Sequence, residues 1–145
     1  MNSVANIPFS EIQIGQVASM SKTITEEDVV RFAEVTGDFN PVHLDEEFAR
    51  DSMFGRRIAH GFLTGALISA VLGTRLPGAN TIYLEQTMRF LAPVGIGDTI
   101  TAECEVLEKI PEKKILVMRT TVTNQDGVKV LDGQARVMKW EKDSA

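Results

Sequence analysis

The chain has 145 residues, of which 43% are apolar, with a single cysteine and a formal net charge of −5. That is enough apolar material for one packed domain over residues 1–145 and too much for a disordered chain. The acidic balance argues against nucleic acid or an anionic membrane as partner. The lone Cys104 rules out an internal disulfide and any multi-cysteine zinc site.

The segment from Met1 to Pro8 has neither a basic start nor a long apolar run, so no signal peptide is expected and the cytoplasm is the expected location. Val17 to Ile24 reads as an edge strand. Thr25 is placed to cap a helix whose first turn carries Glu26, Glu27 and Asp28, where acids favour the positive end of the helix dipole. Val29, Phe32, Ala33 and Thr36 share one helical face, and Gly37 suits a left-handed helix end. Pro41 biases Asn40 toward extended geometry. Asp45 can cap a short helix through Arg50, and Ser52 to Ile58 reads as irregular.

From Gly61 to about Leu76 the chain is apolar on nearly every face, so it is expected to be a helix buried all round and stopped by Pro77-Gly78. It is too short to span a bilayer, which needs about 20 residues. Four strand-like segments follow. In Thr81–Phe90 a period of two puts Ile82, Leu84, Met88 and Phe90 on one face and Tyr83, Glu85, Thr87 and Arg89 on the other. Thr99–Leu107 alternates Ile100, Ala102, Cys104 and Val106 with polar residues, which makes Cys104 a small core residue. Ile115–Thr123 and Val128–Trp140 flank the hairpin signal Asn124-Gln125-Asp126-Gly127, with Leu131, Ala135 and Val137 on one face of the last strand. The tail from Glu141 to Ala145 is polar and expected to fray. The result is an α+β domain, helices first and an antiparallel meander after them. One sheet covers only one side of an all-apolar helix, so a second copy in a homodimer is expected to cover the other.

Asp38 and His43 are the leading candidates for chemistry. A carboxylate and an imidazole that share one water can take a proton from it, and Asn40 between them can orient that water. The same residues are also good turn chemistry, with Asp and Asn side chains bonding local backbone. The second candidate is His60-Gly61 at the start of the apolar helix. Free N–H groups there, and a glycine that lets a ligand approach, suit an oxygen that gains negative charge. The plainer reading of His60 is a residue that precedes or caps the helix. Asp38, His43, Asp45 and His60 are potential metal ligands, but no recognised ligand spacing links them and no metal is expected. Ser69 has no local triad partner and reads as a small packing or pocket residue. Arg56 and Arg57 read as a surface pair that could meet phosphate.

Val35-Thr36-Gly37-Asp38-Phe39-Asn40-Pro41-Val42-His43, with Ala49 beyond it, resembles the hydratase motif of the MaoC-like, (R)-specific enoyl-CoA hydratases. Ala59-His60-Gly61-Phe62-Leu63, Ile82-Tyr83-Leu84, Arg89-Phe90, Pro93-Val94 and Gly97-Asp98 are similar to further segments of that family. The resemblance implies a hot-dog fold, an antiparallel sheet wrapped around a long helix and paired in a homodimer. It implies that Asp38 and His43 activate water for addition to a trans-2-enoyl-CoA, giving the (R)-3-hydroxyacyl-CoA. Asn40 would position the site, and the Gly61 N–H would hold the thioester oxygen. Phe62, Leu67, Ser69, Leu72 and Val137 would line the acyl tunnel. No metal or redox cofactor is implied, and coenzyme A is part of the substrate. A supply of monomers for polyhydroxyalkanoate synthesis follows by analogy. The rival is a dehydratase of fatty-acid synthesis acting on acyl-carrier-protein thioesters. A thioesterase and a non-catalytic acyl-CoA-binding module both fit the intact Asp38/His43 set less well.

Overall fold

The computed structural model describes residues 3–142. The first two residues of the N-terminal segment, and residues 143–145 of the tail expected to fray, lie outside the described residues.

Local chemistry sets the helix ends. Thr25 Oγ1 accepts the Asp28 N–H (3.1 Å) while Asp28 Oδ2 accepts the Thr25 N–H (2.9 Å), a reciprocal cap that starts α1 (Glu26–Thr36). Gly37 ends it at φ +81, a left-handed conformation that costs glycine little. Two short helices follow, α2 (Pro41–Leu44) and α3 (Glu46–Arg50), and then the long α4 (Gly61–Thr74). The strands are β1 (Val17–Thr23), β2 (Thr81–Phe90), β3 (Thr99–Ile110), β4 (Ile115–Thr123) and β5 (Lys129–Lys139). They form one antiparallel sheet in the order β1-β3-β4-β5-β2, so β1 is an edge strand as expected and β2 is the other edge.

The sheet wraps α4 in the hot-dog arrangement. Ile68, Val71 and Leu72 of α4 pack in one core with Ile100, Ala102, Cys104, Leu116, Met118, Leu131, Ala135 and Val137 of the sheet. Fully burying one of the Ile, Leu, Val or Met side chains contributes about 1.5–3 kcal/mol. Gly65 lets the helix approach β2, since a Cβ there would lie 2.6 Å from Met88 Sδ. Among the described residues no helix is long and apolar enough to cross a membrane.

Three expectations need correction. The stripe Phe62, Ala66, Ser69 and Gly73 on α4 is open in the single chain, with Phe62 66% exposed, so the helix is not buried all round. β3 runs on to Ile110 past a register shift between Val106 and Glu108, an irregularity that no residue type announces. A similar shift between Tyr83 and Glu85 breaks the alternation of β2. Tyr83 therefore shares its side with Gln86 and Met88, facing α4. Ile82 and Leu84 are exposed.

Candidate active site

The site is built from three successive turns. Gly37 swings the chain out of α1, and Thr36 Oγ1 accepts the Asp38 N–H (3.2 Å). Asp38 Oδ1 then accepts the Asn40 N–H (3.2 Å), and Asn40 Oδ1 accepts the Val42 N–H (3.2 Å), which caps α2 with Pro41 in its first turn. The turn-forming and functional readings of this segment are thus compatible. Asp38 keeps its second carboxylate oxygen free of these bonds, and Asn40 keeps its amide NH2. Asp38 is exposed in the single chain.

α2 carries His43, which is buried at its last turn. Its Nδ1 lies 2.7 Å from the Ile58 carbonyl oxygen, which can only accept. The proton therefore sits on Nδ1, and Nε2 keeps a lone pair for incoming hydrogen. Burial pushes the His43 pKa below the usual histidine value. The Ile58 carbonyl pulls it upward, His60 pushes it down and Asp38 pulls it back. The Arg57 guanidinium braces the same helix. Its Nε donates to the His43 carbonyl oxygen (2.8 Å) and its Nη1 to Glu26 Oε1 of α1 (2.8 Å). Arg57 is thus a structural clasp rather than half of a surface pair. Arg56 reaches the buried Asp98 (3.5 Å) across Gly95. Burial raises the Asp98 pKa, but bonds from the Gly95 N–H and Gln125 and the Arg56 charge more than offset it, and the net shift is downward.

His60 immediately precedes α4 and meets the first motif directly. Its ring stacks on His43 with centroids 3.9 Å apart, and its Nε2 lies 3.1 Å from the Asp38 carbonyl oxygen. It makes no side-chain cap bond to α4, contrary to the capping reading. Gly61 is the first residue of α4, so its N–H has no carbonyl one turn back within the helix.

Cavities flank this cluster. One of about 460 Å³ is walled by Gly61, Ile58, Thr64, Phe54, Phe90 and Val94. Another of about 460 Å³ lies between α4 and β2, with Phe32, Phe62, Gly65, Ser69, Tyr83 and Met88 in its wall. Asp38 and His43 line neither cavity: His43 reaches the first through its bond to Ile58, and Phe32, in the wall of the second, has its ring 4.8 Å from His60. A larger cavity of about 610 Å³ sits at the far end of α4, beside Thr74 and Arg75, away from the titratable cluster. Of the residues expected to line an acyl tunnel, Phe62 and Ser69 face the α4–β2 cavity. Leu67, Leu72 and Val137 are packed in the closed core, because their side chains point toward the sheet interior.

One donor atom each from Asp38, His43 and His60 lies within 4.8 Å of the others, a spacing that could admit a cation. Asp45, the remaining potential ligand, instead caps α3 by accepting the Phe48 N–H (3.1 Å). The two imidazole planes are inclined by only 28° in a face-to-face stack. In-plane lone pairs of stacked rings run alongside one another instead of converging on one centre.

The family model for a MaoC like domain matches residues 9–128. The chain belongs to the MaoC-like family. This MaoC-like chain is 50% identical to the (R)-specific enoyl-CoA hydratase of Rhodospirillum rubrum, over 90% of each chain. Among solved structures it is similar to the R-hydratase PhaJ1 of Pseudomonas aeruginosa in its unliganded form. The TM-score is 0.91 at 50% identity, covering 98% of this chain and 94% of that one. It is also similar to the (R)-hydratase of A. caviae involved in PHA biosynthesis, with TM-score 0.86 at 41% identity, covering 88% of this chain and 97% of that one.

His60, Arg57 and Phe32 are the site residues whose contacts sequence reasoning missed. His60 was visible as a titratable residue beside a helix start, but its stacking partners come from other elements. Phe32 was legible only as part of an apolar helix face.

Proposed function

We propose that this MaoC-like protein adds water to trans-2-enoyl-CoA to give (R)-3-hydroxyacyl-CoA. The observation that carries this reading is a buried His43 whose proton is committed to the Ile58 carbonyl, beside a carboxylate of Asp38 that is open to solvent. His43 Nε2 accepts a proton from a water that Asp38 also holds. The hydroxyl forms its bond to C3, and the π electrons move through C2 to the thioester oxygen. The Gly61 N–H, at the positive end of α4, donates to that oxygen as its charge grows. A proton from the dyad then closes the C2–H bond, so one water is consumed and the dyad is restored. Asn40 contributes its free amide to positioning. No electrons leave the substrate, so the reaction calls for no redox cofactor; the Asp38/His43 pair activates the water without a metal, and coenzyme A enters as part of the substrate.

Phe62 and Ser69 place the acyl chain in the α4–β2 cavity. The product class suits monomer supply for polyhydroxyalkanoate synthesis from fatty-acid oxidation, in the cytoplasm. A homodimer completes the assembly. β2 is an unpaired sheet edge beside the open stripe of α4, and a second copy can cover both. Sedimentation should give twice the 15.9 kDa chain mass, and a monomer at working concentration would remove the dimer.

The deciding experiment follows loss of the enoyl thioester absorbance of crotonyl-CoA. The protein should turn it over, and Asp38→Asn should abolish turnover with the circular dichroism unchanged. Near-normal turnover in that variant would remove Asp38 from the chemistry. Faster reaction of the matching acyl-carrier-protein thioester would reassign the carrier.

A further inference from the structure

His60 has no task in the hydration steps above, yet it is only 2% exposed and sits against both reacting residues. The Asp38 carbonyl oxygen can only accept, so the His60 Nε2 beside it carries a proton. Its other nitrogen, Nδ1, is buried with no hydrogen-bond partner. An apolar residue in this place would avoid that unmet bond, and the helix gains no cap from the imidazole. What the ring does supply is contact. It lies between Phe32 at 4.8 Å and His43 at 3.9 Å, while its N–H holds the main chain that carries the Asp38 carboxylate.

We propose that His60 is a positioning residue that locks the Asp38 carboxylate and the His43 imidazole into one geometry, by an N–H bond to the Asp38 main-chain carbonyl and a ring stack on His43. The inference rests on the hydration reading. The two contacts are separable, because one needs a donor and the other needs a flat ring. The stack has a second consequence. The groups that bear on the His43 charge are Asp38 before α2, His60 before α4, and Arg57, which touches the His43 carbonyl and is paired with Glu26 of α1. His60, stacked on the imidazole, is the member of this set whose electrostatic influence disfavours a positive His43, acting with burial.

Two variants test this on the full chain, with wild type and Asp38→Asn assayed beside them. His60→Phe keeps a ring and removes the donor. A misplaced reacting group costs about 10²-fold, so kcat on crotonyl-CoA should fall by about that factor while KM stays within about threefold. His60→Gln keeps an N–H within reach of the Asp38 carbonyl and removes the ring. It should retain more of kcat than His60→Phe, and the acid limb of its kcat/KM profile should move to higher pH. Should His60→Phe not fold, as judged by circular dichroism, the His60→Gln pH profile decides alone. A His60→Gln limb coincident with wild type, or a folded His60→Phe with wild-type kcat, would overturn the proposal while leaving the hydration reading intact. A wild-type protein inert toward every enoyl thioester tried would overturn both.

Discussion

Two buried nitrogen clusters lie at opposite ends of α4, and they are wired differently. Beyond its carboxyl end, Lys139 is 1% exposed, and its ammonium donates to Asn6 Oδ1 and to the Ala79 carbonyl oxygen. Burial pushes its pKa down, with Glu141 pulling it back up. Those two bonds join the N-terminal segment, the turn after α4 and the end of β5. At the amino end, His43 and His60 each spend one nitrogen on a backbone carbonyl, and among the described residues the other nitrogen of each has no partner. A buried polar group whose bonds are met by protein holds the chain together. One that keeps a lone pair in reserve, as His43 does, is available for chemistry, and a buried bond left unmade, as at His60 Nδ1, costs about 1–3 kcal/mol.

The contrast can be broken at several strengths. The largest effect should come from His43→Ala, which removes the spare lone pair. Losing a general base costs about 10²–10⁴-fold, and the drop should be in kcat for crotonyl-CoA with the fold retained by circular dichroism. A stopped-assay rate close to wild type would show that the reserve nitrogen is idle. Gly61→Val should come next. A Cβ there would lie 2.8 Å from the Phe90 ring, which is half exposed and can swing away, so the fold should survive. The side chain crowds the approach to the first N–H of α4, and losing one such donor typically costs about 10²–10³-fold. A folded variant with unchanged rate would exclude that N–H from the reaction.

The pH profile sharpens the comparison further. His43 acts as a base only when neutral, so activity should be lost as pH falls through its pKa. That pKa is depressed below 6.5, chiefly by burial, so the acid limb of kcat/KM should lie below 6.5. The sign for stability is the same. The unfolded chain takes up this proton first, so folding stability should decline as pH drops from 6.5 toward the lowered value. A limb at or above 6.5 would mean that the imidazole is solvated during turnover. The smallest effect on rate should come from Lys139→Met. It leaves Asn6 and the Ala79 carbonyl without a donor, so thermal denaturation should report a loss of about 1–3 kcal/mol. Its kcat on crotonyl-CoA should match wild type, and a large fall would tie the far end of α4 to the chemistry.

Much of this arrangement could be read from residue order, because much of it is local. Thr25 and Asp28 cap α1 through neighbours three residues apart, and Gly37 ends it by its own backbone freedom. The alternation of Ile100, Ala102, Cys104 and Val106 is read directly as one buried face of β3. Features set by distant partners were not legible. His60 gains its meaning from Phe32 and His43, and nothing in Ala59-His60-Gly61 encodes a stack. Leu67, Leu72 and Val137 are as apolar as a tunnel wall would need, but apolarity alone does not separate a wall from a closed core. The role of Arg57 was hidden likewise, since its acceptors lie on α1 and α2.

The irregularity in β2 has a consequence for how this strand tolerates change. Tyr83 donates from its hydroxyl to Gln86 Oε1, three positions along, a pairing that strict alternation would place on opposite sides of the sheet. Substituting an acidic residue at each position in turn should therefore give two out-of-phase patterns of tolerance. Odd-numbered positions should be sensitive before Leu84, and even-numbered ones after Glu85. Deleting Leu84 would bring the two patterns into step, because Tyr83 and Glu85 already pair with consecutive residues of β5 and every remaining side chain would keep its side.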